Sequence, residues 1–268
     1  LVKNKVVIIT GASSGIGKAC ASAFFKRGAR LVLVARTESK LVELTNSITN
    51  LGGDAIYVVA DVSNEADCSN MIDKAIDAYG SIDILLNNAG ISMRALFLDL
   101  DLMDFEKVMK INFYGTVYST KYALKYILAT KGSIVGVSSI AGHKGLPART
   151  AYSASKFAMT GFLEALRIEN LKKGLHVLVA SPGFTSSNIR QNAINASGNY
   201  QKESPRNEKK MMSSEEVAEK IASAVEKRKN SLVLTSQGKL LVFLNKFLPN
   251  LVDRLVFNSL SKEKKSPF

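Results

Sequence analysis

Tyr152 and Lys156 form the pattern in this sequence with the clearest chemical meaning. They lie four residues apart in the run YSASK at 152–156, and Ser139 lies thirteen residues before Tyr152. The spacing puts a phenol and an ammonium on one face of a helix. Because a nearby positive charge favours the phenolate, we expect the Tyr152 pKa to fall from about 10 towards neutrality. Such a phenol can exchange a proton with an alcohol or a carbonyl.

A glycine-rich segment near the start of the chain lies between a strand pattern and a helix pattern. Residues 5–9 form an apolar, β-branched run, and residues 18–25 have a helical composition. Between them, the segment TGASSGIG at 10–17 has glycines at Gly11, Gly15 and Gly17. Glycines in a strand-to-helix turn let the backbone approach a pyrophosphate, which binds at the helix N-terminus. The segment therefore predicts a dinucleotide site, although by itself it would also fit an ordinary turn.

The elements that must position these residues alternate regularly along the chain. Near-continuous apolar runs, typical of strands covered on both faces, predict seven strands at 5–10, 30–35, 54–60, 82–86, 132–138, 175–180 and 231–234. Helical patterns lie between them. We therefore predict an α/β fold with a doubly wound, mostly parallel seven-stranded sheet, in one domain over residues 1–235. Ligands should bind at the carboxyl ends of the strands.

Taken in order, these motifs resemble those of the short-chain dehydrogenase/reductase family. The matching segments are TGASSGIG at 10–17, NNAG at 87–90, Asn112, Ser139, YSASK at 152–156 and the pair Pro182-Gly183. They follow the family's order over about 175 residues. The resemblance implies a Rossmann fold, a nicotinamide dinucleotide cofactor, and hydride transfer between the nicotinamide and a carbonyl or secondary alcohol.

The resemblance also implies a role for each residue of the catalytic set. Tyr152 is the acid or base, and Lys156 lowers its pKa and holds the nicotinamide ribose hydroxyls. Ser139 donates a hydrogen bond to the reacting oxygen, and the family's spacing favours it over the adjacent Ser138. Asn112 links Lys156 to solvent through a water, although this residue would also fit a locally satisfied helix amide.

Cofactor contacts are expected from the segments that follow several strands. By resemblance, these contacts come from Gly11, Ser13, Ser14, Gly15, Ile16, Gly17, Arg36, Asp61, Val62, Asn88, Ala89, Gly90, Tyr152, Lys156, Pro182, Gly183 and Thr185. Two positions have alternatives. Asp61 would also fit a turn or a helix cap, and Ser187 competes with Thr185 for the same role.

The residue after the second predicted strand indicates which nicotinamide cofactor is preferred. An acidic residue there would hold the ribose 2′-hydroxyl of NAD, but this chain has Arg36. A guanidinium can bind a 2′-phosphate through paired, charge-assisted hydrogen bonds. We therefore expect NADP(H) to be preferred over NAD(H), unless Arg36 is only a solvated residue at the strand end.

Charge and composition argue against several other classes of function. The net charge is +13, but the basic residues are spread out and form no aromatic-interleaved motif, so we expect no nucleic-acid partner. The two histidines and two cysteines do not have metal-ligand spacing, so we expect no metal site. Cys20 and Cys68 fall in predicted helices and indicate reduced thiols, so we expect a cytoplasmic protein.

A polar segment at about 186–212 is expected to form a lid over the substrate. A fairly apolar carbonyl or alcohol substrate is favoured by nearby apolar residues, Ile91, Met93, Leu146, Phe184 and Ile189. A 3-oxoacyl thioester stays open as the alternative substrate because basic residues are also near, Arg94, His143, Lys144 and Arg149. Outside the enzyme class, the alternative is a non-catalytic, NADP(H)-sensing scaffold on the same fold.

The last part of the chain, residues 236–268, is an apolar and basic extension. Residues 238–260 are interrupted by Lys239, Lys246, Pro249 and Arg254, so they should not span a bilayer. A flap over the pocket, a subunit interface and peripheral membrane contact all remain open. The extension resembles that of 11β-hydroxysteroid-dehydrogenase-like members of the family. By the same resemblance, helices at 101–129 and 150–173 imply a homodimer or homotetramer.

Overall fold

The computed structural model of the chain describes residues 2–205 and 211–268. Its strands within these ranges are β1 (Val6–Thr10), β2 (Arg30–Ala35), β3 (Asp54–Val59), β4 (Ile84–Asn87), β5 (Met93–Arg94), β6 (Ser133–Val137), β7 (His176–Ser181), β8 (Ile194–Asn195) and β9 (Ser231–Val233). Seven of them build one sheet in the order β3-β2-β1-β4-β6-β7-β9, with parallel pairing throughout. β5 and β8 form a separate parallel pair.

Helices connect and cover the strands. In the described residues they are α1 (Gly15–Phe25), α2 (Glu38–Thr49), α3 (Glu65–Tyr79), α4 (Leu102–Met109), α5 (Gly115–Ala129), α6 (Thr150–Glu169), α7 (Ser214–Glu226), α8 (Ser236–Phe247) and α9 (Pro249–Leu260). A π-helical turn, Lys110–Tyr114, joins α4 to α5. A 3₁₀ turn, Ile140–Gly142, follows β6. The result is the doubly wound Rossmann fold that the alternating pattern predicts.

The two faces of the sheet explain the apolar runs of its strands. In β1, Val7 and Ile9 pack in the cluster under α1 and α7, whereas Val6 and Ile8 pack in the cluster under α3, α5 and α6. Successive side chains of a strand point to opposite faces, so a strand covered on both sides must be apolar at every position. The seven predicted strands are confirmed, with ends that differ from the observed ones by at most two residues.

The strand order reverses at β1, because β2 and β3 lie on one side of it and the remaining strands on the other. In open α/β sheets, ligands bind beyond the carboxyl ends of strands at such a reversal. The segments after β1, β4, β6 and β7 carry the glycine-rich turn, the NNAG segment, Ser139 and the Pro182-Gly183 pair. The topology thus brings four of the sequence motifs to one edge of the sheet.

The C-terminal extension forms a helical hairpin, α8 and α9, which breaks at Pro249 as predicted. Its inner face packs with Leu146 through Val252, Val256 and Leu260. Its outer face exposes large apolar side chains, Leu240, Phe243, Phe247, Leu248, Leu251 and Leu255. Within the described residues, no helix is long and apolar enough to cross a membrane.

The two ends of the expected lid are tied to each other, and its middle is tied to β5. The Ser186 amide donates to the Met212 carbonyl oxygen at 2.9 Å, and β8 pairs with β5. Arg190 Nη2 donates to the Thr185 carbonyl oxygen at 2.7 Å. The lid's residues 206–210 lie outside the described residues, and its role as a lid stays a prediction.

Candidate active site

The glycine-rich turn after β1 has a backbone that requires glycine at particular positions. Gly11 and Gly15 have φ angles of +67° and +52°, in the region that side chains disfavour. A Cβ atom at Gly17 would collide with the Gly11 carbonyl oxygen and lie 2.6 Å from Asn88 Nδ2. These glycines therefore let the backbone pack closely at the N-terminus of α1. A helix N-terminus suits an anionic group.

Hydrogen bonds join this turn to the NNAG segment after β4. Thr10 Oγ1 accepts from the amides of Asn88 and Ala89 at 3.0 and 3.1 Å. Asn88 Nδ2 donates to the Thr10 and Gly11 carbonyl oxygens at 2.9 and 3.3 Å. The Asn88 side chain therefore braces the turn.

Ser139, Tyr152 and Lys156 come together at the end of β6 and the start of α6. The Ser139 side chain lies near enough to the Tyr152 phenol to lower its pKa, and Ser139 Oγ accepts from the Ala141 amide at 3.1 Å. Lys156 Nζ donates to the Val137 carbonyl oxygen at 2.8 Å and lies 5.8 Å from the centroid of the Tyr152 ring. The Ser138 hydroxyl instead donates to the Lys156 carbonyl oxygen at 3.3 Å. Of the two serines, Ser139 is thus the one whose side chain lies near the phenol.

The electrostatics of this group differ from the sequence-based expectation. Loss of surrounding water raises the pKa of Tyr152 above its usual value, and the Ser139 hydrogen bond and the charges of Arg149 and Arg190 oppose this rise. The predicted fall in the Tyr152 pKa is therefore wrong for this structure. Burial also lowers the pKa of Lys156 to about 8. Desolvation acts on both groups and disfavours their charged forms.

Asn112 lies in the π-helical turn between α4 and α5, an irregularity common at functional sites. Its Oδ1 accepts from the Ile91 amide at 2.8 Å, and its Nδ2 donates to the Ile91 carbonyl oxygen at 2.9 Å. Nδ2 also donates to Ser155 Oγ at 3.0 Å. The buried amide therefore clamps the segment that follows Gly90 to α6, through partners 21 and 43 residues away rather than within its own helix. Its water link to Lys156 stays a prediction.

Replacing Asn112 with alanine should lower the free energy of unfolding by about 2–4 kcal/mol, because the partly buried Ile91 amide and carbonyl would lose their partners. Urea unfolding measures this change. Asn170→Ala is the matched control, since the Nδ2 of this buried residue makes one hydrogen bond, to Leu166, and its loss should cost about 1 kcal/mol. Equal losses in the two variants would contradict the clamp.

Arg36 lies directly after β2, with its side chain more than half exposed. Its Nη1 is 3.8 Å from Asp61 Oδ2, a loose contact between exposed groups. Asp61 Oδ1 accepts from the amide and hydroxyl of Ser63 at 2.9 and 2.7 Å, so Asp61 does organise a turn. Val62 is buried next to Gly115 of α5. The expected adenine contacts of Asp61 and Val62 stay predictions.

The segment after β7 gives Thr185 and Ser187 different places. Thr185 is buried, and its hydroxyl donates to the Gly183 carbonyl oxygen at 3.3 Å. Ser187 lies against the glycine-rich turn, where a Cβ atom at Gly15 would come within 3.3 Å of the Ser187 Cβ. Ser187 therefore lies beside the glycine-rich turn, and the choice of Thr185 over Ser187 as the cofactor contact stays a prediction. The hydroxyl-rich run after Pro182-Gly183 was the signal for both.

The basic residues expected beside the substrate are paired with carboxylates of the C-terminal extension. Glu263 Oε2 lies 3.0 Å from Arg149 Nη2 and 3.5 Å from Arg94 Nη2. Lys144 Nζ lies 2.6 Å from Asp253 Oδ1. Sequence reasoning missed Glu263. Arg149 and Glu263 are 114 positions apart in the chain, so their pairing leaves no local signal in the sequence.

His143 and Met93 also have structural partners. His143 Nε2 lies 2.9 Å from Ser181 Oγ, and burial lowers the pKa of its imidazole. Met93 is buried in a small core cluster with Ala151 and Ile194, so it is a packing residue. In the part of the chain that the structure describes, no cluster of three or more histidine, cysteine or acidic side chains is arranged to hold a metal.

The sequence of the chain is similar to those of proteins in the family that its motifs indicate. A family model described as short chain dehydrogenase matches residues 5–197. The Mus musculus protein "Dehydrogenase/reductase SDR family member 7B" is 35% identical over 99% of this chain and 84% of its own length. The Arabidopsis thaliana protein "11-beta-hydroxysteroid dehydrogenase-like 2" is 42% identical over 70% of this chain and 61% of its own length.

Two solved structures share the fold. An alcohol dehydrogenase from Thermococcus sibiricus, complexed with 5-hydroxy-NADP, has a TM-score of 0.78 at 23% identity and covers 87% of this chain and 96% of its own. A short chain dehydrogenase/reductase from Burkholderia phymatum, in complex with NAD, has a TM-score of 0.81 at 24% identity. It covers 93% of this chain and 95% of its own. With its family match, its motifs and this topology, the chain belongs to the short-chain dehydrogenase/reductase family of oxidoreductases.

Proposed function

We propose that the protein is an NADP(H)-dependent oxidoreductase that interconverts a carbonyl compound and a secondary alcohol. The observation that carries this proposal is the close approach of the Ser139 and Tyr152 side chains, next to Lys156 and at the same sheet edge as the glycine-rich turn. Two hydroxyls that meet at one point can both bind a single substrate oxygen. A purely structural role would not require them to meet there.

The chemistry of the chain's own residues follows from this arrangement. Bound nicotinamide supplies or accepts the hydride. Tyr152 gives a proton to the oxygen that gains negative charge, and Ser139 donates a hydrogen bond to the same oxygen. The rise in the Tyr152 pKa on burial keeps the phenol protonated, which suits a proton donor in the reducing direction. Lys156 adds a positive charge nearby, held at the Val137 carbonyl oxygen.

The residues at the glycine-rich turn fit a dinucleotide. Gly11 and Gly17 let the turn pack closely against itself and Asn88, Gly15 has a positive φ angle, and Ser187 lies beside Gly15. Arg36 at the end of β2 has an exposed guanidinium with which to bind a 2′-phosphate. These features support NADP(H) as the preferred cofactor.

We propose a neutral, fairly apolar substrate rather than a 3-oxoacyl thioester. The argument for the thioester was the positive charge of Arg94, Lys144 and Arg149, but each of these side chains is paired with a carboxylate of the extension. Paired charges attract an anionic substrate weakly. The likeness to 11-beta-hydroxysteroid dehydrogenase-like proteins also favours a lipophilic alcohol or ketone.

A homodimer or homotetramer through α5 and α6 is part of the same proposal. The exposed rings of Tyr114 and Phe157 support it, and Tyr114 also contacts the rings of Phe113 and Tyr118. Peripheral membrane contact through 238–260 stays a prediction, with the exposed outer face of α8 and α9 in its favour.

The test is a titration with NADPH and NADH, followed by nucleotide fluorescence, and then a turnover screen with NADPH over apolar ketones, sterols and acyl thioesters. We expect tighter NADPH binding and turnover of neutral ketones. Turnover of thioesters alone would contradict the substrate class. Binding without turnover of any carbonyl would instead favour the non-catalytic scaffold.

A further inference from the structure

A carboxylate from the C-terminal tail is buried between two arginines. Glu263 Oε2 lies 3.0 Å from Arg149 Nη2 and 3.5 Å from Arg94 Nη2, and all three side chains are less than a tenth exposed. Arg94 Nη2 also donates to the carbonyl oxygen of Lys264 at 3.0 Å. Removing one member of such a buried network leaves a charge without its counter-charge, so the substitution changes the electrostatic field around the network.

Arg149 connects this network to the proposed proton donor. It is the N-cap residue of α6, the helix that carries Tyr152, and its carbonyl oxygen accepts from the Ser153 amide at 2.8 Å. A cation there favours the phenolate, and the charge of Arg149 does lower the Tyr152 pKa. A carboxylate 3.0 Å from the Arg149 guanidinium should offset part of this charge, since opposite charges so close partly cancel at a distance and Arg94 shares the same carboxylate.

We propose that Glu263 is a positioning residue of the reaction, which holds Arg149 in place, offsets its charge and thereby sets the proton affinity of Tyr152. The inference rests on the proposed role of Tyr152 as proton donor. It gives one residue of the C-terminal extension a positioning role, although the extension follows the last strand of the sheet.

The other charges around the phenol have their own partners. Lys156 Nζ donates to a backbone carbonyl at 2.8 Å, and Arg190 Nη2 does so at 2.7 Å. Burial lowers the pKa of His143, which keeps this imidazole neutral at pH 7. Lys144 pairs with Asp253, whose side chain is 62% exposed. Asp253 belongs to the same extension but is exposed to solvent, so it provides a matched control for Glu263.

The test is a titration of the Tyr152 phenol in full-length variants. The readout is the near-ultraviolet phenolate absorbance of each variant minus that of its Tyr152→Phe counterpart, which needs no turnover. Glu263→Gln should lower the Tyr152 pKa by about 0.5 unit or more, because Arg149 then acts without its counter-charge. Arg149→Gln should raise this pKa, and the double variant should return close to the wild type. Asp253→Asn should leave it unchanged.

Opposite shifts in the two single variants cannot come from a general loss of structure. If the Tyr152 pKa stays the same or rises in folded Glu263→Gln protein, the inference is overturned. If Glu263→Gln does not fold, an unchanged Tyr152 pKa in Arg149→Gln overturns it instead. In turnover assays, the high-pH limb of carbonyl reduction should move with the pKa, since the reaction needs the protonated phenol. If the pKa shifts are as expected but the wild type turns over no carbonyl substrate, only the proposed function is overturned.

Discussion

Tyr152→Phe should lose about 10²- to 10⁴-fold in kcat while NADPH binds with nearly unchanged affinity. The substitution removes the hydroxyl that lies near Ser139 and keeps the ring that packs with the cluster around Met93. The proton donor is thus lost with little change in packing. Single-turnover kinetics with NADPH and a reactive ketone, together with fluorescence titration of the nucleotide, separate the chemical step from binding.

The adjacent serines provide a matched comparison for this result. Ser139→Ala removes the hydroxyl next to the phenol and should lower kcat by about 10²-fold. Ser138→Ala removes a hydroxyl that contacts the Lys156 carbonyl oxygen and Thr160, so it should mainly reduce stability. Full activity of Tyr152→Phe, or equal kinetic effects of the two serine variants, would contradict the assigned roles.

The features that sequence reasoning predicted well depend on short-range patterns. The strands of the sheet are apolar at nearly every position because both faces are covered, so their places could be found from the sequence alone. Tyr152 and Lys156 lie one helical turn apart, and Gly11, Gly15 and Gly17 fall within one turn of backbone. In each case the physical requirement acts on residues that are neighbours in the chain.

The features that it missed depend on distant contacts and on burial. Glu263 meets Arg149 only because α8 and α9 fold back over the domain, and no local pattern marks that pairing. The direction of the Tyr152 pKa shift was wrong because spacing reveals the nearby charge of Lys156 but not the loss of water around the phenol. The place of Ser187 beside Gly15 was not predicted, because a loop's path past another segment is not encoded in its composition.

Arg36→Asp should weaken NADPH binding by about 10²-fold or more and leave NADH binding similar or tighter. The variant replaces an exposed guanidinium with a carboxylate, which would repel a 2′-phosphate and accept hydrogen bonds from a 2′-hydroxyl. Because the Arg36 contact with Asp61 is long and solvent-exposed, its loss should cost little stability. The dissociation constants of both nucleotides, measured by fluorescence at one ionic strength, give the preference directly.

Arg30→Gln is the control for a general effect of charge. Arg30 begins the same strand, β2, at the end of the sheet opposite to the glycine-rich turn, and it makes an exposed contact with Asp54 at 3.5 Å. Losing this positive charge should change the affinity for both nucleotides only slightly, since exposed charges beyond about 10 Å are screened by salt. If Arg36→Asp weakened NADPH and NADH binding equally, the role of Arg36 would be in the fold of the site or in its overall electrostatic field. A selective loss of NADPH binding is the result that identifies its guanidinium as the group that binds the 2′-phosphate.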